Sequence, residues 1–143
     1  SSLMNFFKKD TDYLVGSKPN MGIEIPFKEN DLTTDRDRYK RTQMLVRKMP
    51  SIRLWGVTNG FAKAVNNRFK LIRKKDWAEQ IDLKILIINS LKDRVVHSKK
   101  TIEMAKRLKN SKTINFENCE HEILMEQSQY REIMWEAIDD FLN

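Results

Sequence analysis

Asp93 and His121 are the two residues of this 143-residue chain whose types and settings could do acid–base chemistry together. Asp93 lies in Leu91-Lys92-Asp93-Arg94-Val95-Val96-His97, just after the apolar run 84–90. His121 lies in Asn118-Cys119-Glu120-His121-Glu122-Ile123-Leu124, just after a second expected strand at 112–117, with Ile114 and Phe116 on one side. A hydroxyl nucleophile is inert at its free pKa and needs a base in contact with it. Histidine suits that role because it changes charge near neutral pH. A carboxylate on its far nitrogen fixes the tautomer and stabilises the imidazolium formed during reaction. Each residue also has a plainer reading: Asp is common in turns after strands, and a lone His is more often structural. The other reactive side chains carry less. His97 is expected to be exposed near a helix start, with no role. Cys119 stands two positions from His121, but neighbours on one loop rarely face each other, and a small buried cysteine is the expectation. Glu120, Glu122 and Glu126 are expected at the surface or bracing the loop.

The pair must be held by elements that bring residues 28 apart in sequence to one edge. Residues 84–90, Lys-Ile-Leu-Ile-Ile-Asn-Ser, form a short β-branched run of the kind a strand buried on both faces needs. A helix is expected from Ser98, as N-cap, to Leu108, with Ile102, Ala105 and Leu108 on one face. A second strand follows at 112–117. The last helix begins near Ser128, with Tyr130, Met134, Ala137 and Phe141 on one stripe. The order strand–loop–helix–strand–loop–helix over residues 81–143 predicts a right-handed parallel crossover. Parallel neighbours put both loops at the carboxyl edge of the sheet, where open α/β sheets build their active sites.

Residues 1–80 have a different character. Gly16, Pro19, Asn20, Gly22 and Pro26 punctuate the first 35 positions. A short helix is expected over Leu3 to about Lys8. A second helix is expected at 36–49, capped by Thr33 or Thr34 and ended by Pro50. A third is expected at 61–73, where Phe61, Ala64, Val65, Phe69 and Ile72 recur at helical spacing. The expected division is a helical cap over 1–80 and a βαβα core over 81–143.

These stretches resemble the α/β-hydrolases of the lysophospholipase and monoacylglycerol-lipase type. Leu83-Lys84-Ile85-Leu86-Ile87-Ile88-Asn89-Ser90, followed by Asp93 and Val95-Val96, looks like their acid-bearing strand. His121-Glu122-Ile123-Leu124, with Glu126 close behind and the ending Ala137-Ile138-Asp139-Asp140-Phe141-Leu142, is similar to their histidine loop and last helix. Residues 32–41 are similar to the start of a lid helix in the same proteins. The resemblance implies the C-terminal portion of an α/β-hydrolase fold, parallel strands with flanking helices preceded by a helical lid. It also implies a Ser-His-Asp mechanism on a carboxylic ester, with Asp93 as acid and His121 as base and no metal or organic cofactor. The order acid then histidine agrees with the hydrolase order. The family's serine sits in G-x-S-x-G, and none of Gly16, Gly22, Gly56 and Gly60 brackets a serine in that pattern. The nucleophile is therefore expected upstream of residue 1, and the chain alone is expected to be inactive.

Composition bounds the partners. One cysteine leaves no internal disulfide and no multi-cysteine zinc site. No apolar run reaches the length of a membrane span, and a cytoplasmic protein is the expectation, with peripheral membrane contact as an option. The net charge of +7 favours anionic partners, either lipid headgroups or an acidic protein, while nucleic acid is not the expected one. The bland reading is a solvated, lysine-rich surface, and Arg73-Lys74-Lys75 is either a headgroup contact or a solvated helix end. Phe6, Phe7, Trp55, Phe61 and Phe69 either line an acyl groove or pack the lid on the sheet. The expected substrate is a lysophospholipid or monoacylglycerol. An N-terminal hydrolase piece, or self-association through the 84–90 strand edge, is expected to complete the sheet. The rival reading is an inactive remnant or a basic binding module.

Overall fold

The computed structural model describes residues 9–14, 25–53 and 56–143. The expected helix near Leu3, and Phe6, Phe7 and Trp55, lie outside the described residues. The element order is α1 (Arg36–Lys48), α2 (Asn59–Ile72), β1 (Ile85–Ser90), α3 (Ser98–Ala105), β2 (Ser111–Phe116) and α4 (Ser128–Leu142), joined by short 3₁₀ turns.

β1 and β2 run parallel, in register from Ile85 opposite Ser111 to Ser90 opposite Phe116. α3 is the crossover between them and packs against both strands, while α4 packs on β1. Among the described residues the sheet has these two strands only, so the second edge of β1 carries no partner strand. The core gathers at the carboxyl half of the sheet: Phe116, Cys119, Ile123 and Met134 are buried, with Ile88, Ile114, Tyr130 and Ile138 packed against them. Tyr130 meets Phe116 edge-on at 6.1 Å between ring centroids. The same apolar contacts therefore hold the end of β2, the loop after it and the start of α4 together.

Several element ends differ from the sequence expectation. α1 is capped by Asp35, whose side chain accepts from the N–H groups of Asp37 and Arg38, and not by Thr33 or Thr34. Both threonines are engaged elsewhere: Thr33 Oγ1 donates to Met125 O at 2.7 Å, and Thr34 binds Glu126. Met49 takes φ −134°, ψ 75°, outside the helical region, as expected of a residue before proline. α2 starts at Asn59, two residues ahead of expectation, because Thr58 Oγ1 accepts from Phe61 N–H at 3.2 Å. Ser98 does not cap α3. His97 holds that position, and the Ser98 hydroxyl donates to Ser90 O, tying the helix to the end of β1. α3 ends at Ala105, short of Leu108, because Arg107 N–H and Leu108 N–H bond three residues back, to Met104 and Ala105.

Candidate active site

The two loops anticipated from the sequence meet at the carboxyl edge of β1 and β2. His121 Nδ1 lies 2.8 Å from Asp93 Oδ2. The Asp93 side chain is 6% exposed and that of His121 is 31% exposed. The acid is thus shielded while the imidazole keeps a face open. An ionised carboxylate can only accept, so His121 Nδ1 is the donor of this bond, and in the neutral ring Nε2 carries the free lone pair.

Asp93 combines both readings open for it. Its Oδ1 accepts from Val95 N–H and Val96 N–H, each at 2.8 Å, forming the turn after β1. Its Oδ2 faces His121. Burial pushes the Asp93 carboxyl up. The His121 hydrogen bond, the N–H groups of Val96 and Val95, and the charge on His121 outweigh that, and the acid ends below its ordinary value. The carboxylate therefore stays ionised where a base must work.

The histidine loop is held by three sets of bonds. Ser90 donates its hydroxyl to Cys119 O, so the end of β1 fixes the start of the loop. Residues 31–32 then pair with its middle: His121 N–H donates to Asp31 O at 3.2 Å and Glu122 N–H to Leu32 O at 2.7 Å. Glu126, fully buried, closes the loop. Its Oε1 accepts from Glu120 N–H at 2.7 Å. The Thr34 N–H donates to Oε1 and Oε2 at 3.0 and 3.1 Å, and the Thr34 hydroxyl donates to Oε2. Arg94 draws the acid loop to the same segment, at 2.7 Å from Asp31 Oδ1 and 3.1 Å from Asn30 O. The stretch that leads into α1 thus braces both halves of the pair.

Arg94 is a bracing residue that sequence reasoning did not name, while Glu126, expected at the surface or bracing the loop, is found bracing it. Of the three glutamates in the loop, Glu122 is exposed, Glu120 lies 3.7 Å from Arg94, and only Glu126 is fully buried. Cys119 is fully buried as well. Burial, then the charges of Glu126 and Glu120, push its thiol up to about 12, so it is no thiolate at neutral pH. His97 is exposed. No cluster of three or more His, Cys, Asp or Glu that could hold a metal occurs among the described residues. A cavity of about 540 Å³ opens beside His121, walled by Ile88, Ile123, Leu124, Met134 and Ile138. Phe61 and Phe69 are exposed and do not line it.

This arrangement, an imidazole with one nitrogen on a shielded carboxylate and the other open next to an apolar wall, can take a proton from a hydroxyl and return it to a leaving group. Over residues 7–128 the sequence matches the family described as "Serine aminopeptidase, S33". A Haemophilus influenzae protein described as "Probable lysophospholipase L2" is 26% identical over 142 residues, which is 99% of this chain and 44% of that protein. A soluble variant of monoglyceride lipase from Saccharomyces cerevisiae, solved with a substrate analogue, superposes with a TM-score of 0.63 at 11% identity, covering 87% of this chain and 44% of that one. That likeness establishes the α/β-hydrolase fold, of which these residues form a part. The chain spans less than half the length of either relative.

Proposed function

The chain belongs to the serine aminopeptidase S33 family of α/β-hydrolases, and from that membership we propose that it carries the acid and base of a serine ester hydrolase. Asp93 orients His121. His121 takes the proton of a serine hydroxyl through Nε2 as the serine attacks the ester carbonyl, then returns it to the leaving alcohol. The 2.8 Å contact between His121 Nδ1 and Asp93 Oδ2 is the observation that carries this reading. The sequence holds no serine in a G-x-S-x-G setting, so the serine and the oxyanion donors come from residues outside this sequence. The unpartnered edge of β1 suits a further parallel strand from that hydrolase piece, and in its absence a second copy of the chain. Residues 1–80 act as the helical cap and 81–143 as the catalytic half of the core.

The substrate follows from the relatives' names and the apolar wall beside His121: a lysophospholipid or monoacylglycerol, one acyl chain on a polar head. No metal or organic cofactor enters the mechanism. No helix among the described residues is long and apolar enough to cross a membrane, and we place the protein in the cytoplasm, touching the membrane from its surface. The rival, an inactive remnant, is favoured by the absent elbow alone. Fatty-acid release from lysophosphatidylcholine and monooleoylglycerol separates the two, measured with the chain alone and with an N-terminal α/β-hydrolase piece that carries a G-x-S-x-G serine. Turnover only in the combined sample supports the hydrolase. No turnover in either, with the piece bound, supports the remnant.

A further inference from the structure

Asp31 stands outside the two loops of the site and yet reaches both. Its carbonyl accepts from His121 N–H at 3.2 Å. Its carboxylate lies 2.7 Å from Arg94, the residue next to Asp93. The turn around it holds that carbonyl in place. Asn30 is buried, its Oδ1 accepts from Leu32 N–H and Thr33 N–H, each at 3.0 Å, and its Nδ2 donates to Phe27 O. The Phe27 ring in turn leans on Tyr39 of α1, at 5.6 Å between centroids. Arg94 is the counterpart on the acid loop. Its guanidinium donates to Asn30 O at 3.1 Å, and its Nε lies 3.7 Å from Oε2 of Glu120, the residue before His121. That Glu120 oxygen is buried and accepts no hydrogen bond among the described residues, and Arg94 is the cation beside it.

An exposed ion pair adds little to stability, and the Arg94 and Asp31 side chains are 58% and 46% exposed. Their position gives them another use. The bonds from Val95 N–H and Val96 N–H fix the Asp93 carboxylate within its own loop, not against the histidine loop. Two bonds join the loops where they leave the strands, from Ser90 to Cys119 O and from Lys92 to Asn118. Arg94 is a tie beyond these, next to the pair itself. We propose that Asp31 and Arg94 are positioning residues for Asp93 and His121: a charged clasp, from the lead-in of α1 to both loops, that sets acid against base. Without Arg94, the Asp31 and Glu120 carboxylates lose the cation between them and repel, and Glu120 carries His121 with it. Without the Asp31 charge, Arg94 still holds Glu120, and the displacement is smaller. The proposal rests on reading Asp93 and His121 as an acid–base pair, and it concerns how that pair is held rather than which bond it cleaves.

Ring-nitrogen NMR of the chain as it stands tests the clasp with no ester present. The bond made by one ring nitrogen decides which of the two carries the proton. At about pH 9, where an imidazole is neutral, the parent His121 should be mainly the Nδ1–H tautomer, donating to Asp93. Arg94→Gln should lower the ratio of Nδ1–H to Nε2–H roughly fivefold, the worth of one hydrogen bond. Asp31→Asn should lower it less. Arg94→Lys, which keeps a cation at the position, should recover most of the parental ratio. The signals of His97, exposed in another loop, should stay in place, and the urea midpoint should barely move in any of the three. A parental ratio in both Arg94→Gln and Asp31→Asn would overturn the proposal. So would a ratio as low in Arg94→Lys as in Arg94→Gln, since charge at that position would then not be what counts. A large fall in the urea midpoint alongside the lost ratio would mark an ordinary structural tie and also count against it. A parent ring already in the Nε2–H form would remove the Asp93–His121 pair itself, a result distinct from a failed clasp.

Discussion

Replacing Glu126 by Ala should unseat the loop that carries His121. The Glu126 carboxylate is fully buried and takes bonds from Glu120 N–H, Thr34 N–H and the Thr34 hydroxyl. Alanine leaves the two backbone donors without their acceptor at a part-buried site. Each stranded buried donor costs about 1–3 kcal/mol. The hydroxyl can turn to another acceptor, and water entering the vacated space recovers part of the loss. The expected net destabilisation is therefore roughly 3–4 kcal/mol, a large part of the ~5–15 kcal/mol that holds a small domain. Glu126→Gln behaves differently. It keeps the volume and one acceptor oxygen, which can still serve Glu120 N–H and Thr34 N–H, while its amide can donate to a reoriented Thr34 hydroxyl. Its loss should be about 1 kcal/mol. Urea unfolding followed by tryptophan fluorescence gives both values. Histidine NMR gives the local effect: the His121 ring signals should move in Glu126→Ala, while those of His97, exposed in a separate loop, should not. An alanine variant within about 0.5 kcal/mol of the parent, the range of an ordinary surface change, with His121 signals unmoved, would refute the bracing role.

Two further outcomes follow from the same site. Cys119, buried and with its thiol pushed up to about 12, should resist iodoacetamide at neutral pH and react only once urea opens the fold; fast native-state alkylation would contradict its placement. Asp93 titrates below its ordinary value in the fold. Its contribution to stability is therefore complete above the unfolded Asp value of about 3.9 and is lost as the pH falls through the lower folded value. In urea titrations across acid pH, Asp93→Asn should flatten that part of the curve, and an unchanged profile would mean that the carboxylate gains nothing from its partners.

What could be read from the sequence, and what could not, divides along the range of the forces. β1 and α4 were legible because their signals are local: an unbroken apolar run in one and an apolar stripe in the other. The meeting of Asp93 and His121 was legible because a strand–helix–strand order brings successive loops to one edge. The caps were not. Thr33, Thr34 and Asp35 are all good cap residues, and the choice of Asp35 is decided by Met125 and Glu126, both 92 residues from the threonines they bind. The end of α3 was overrun because Leu108 continues the apolar face of the helix, and side-chain periodicity does not register a switch to three-residue backbone bonds. Glu126 was hidden among three glutamates within seven residues. Only the fold distinguishes the one beneath residues 33–34 from Glu122, which is exposed, and Glu120, which faces Arg94.

The central claim is that Asp93 and His121 act as one acid–base unit on a serine supplied from outside this sequence. Its most direct test is fatty-acid release from lysophosphatidylcholine by the chain combined with an N-terminal α/β-hydrolase piece that carries a G-x-S-x-G serine, comparing the parent with His121→Ala and Asp93→Asn. The account predicts that His121→Ala lowers kcat by about six orders of magnitude and Asp93→Asn by about four, as when the base or the acid of such a triad is lost, while binding of that piece is kept. Turnover that survives both substitutions at the parental rate would contradict it.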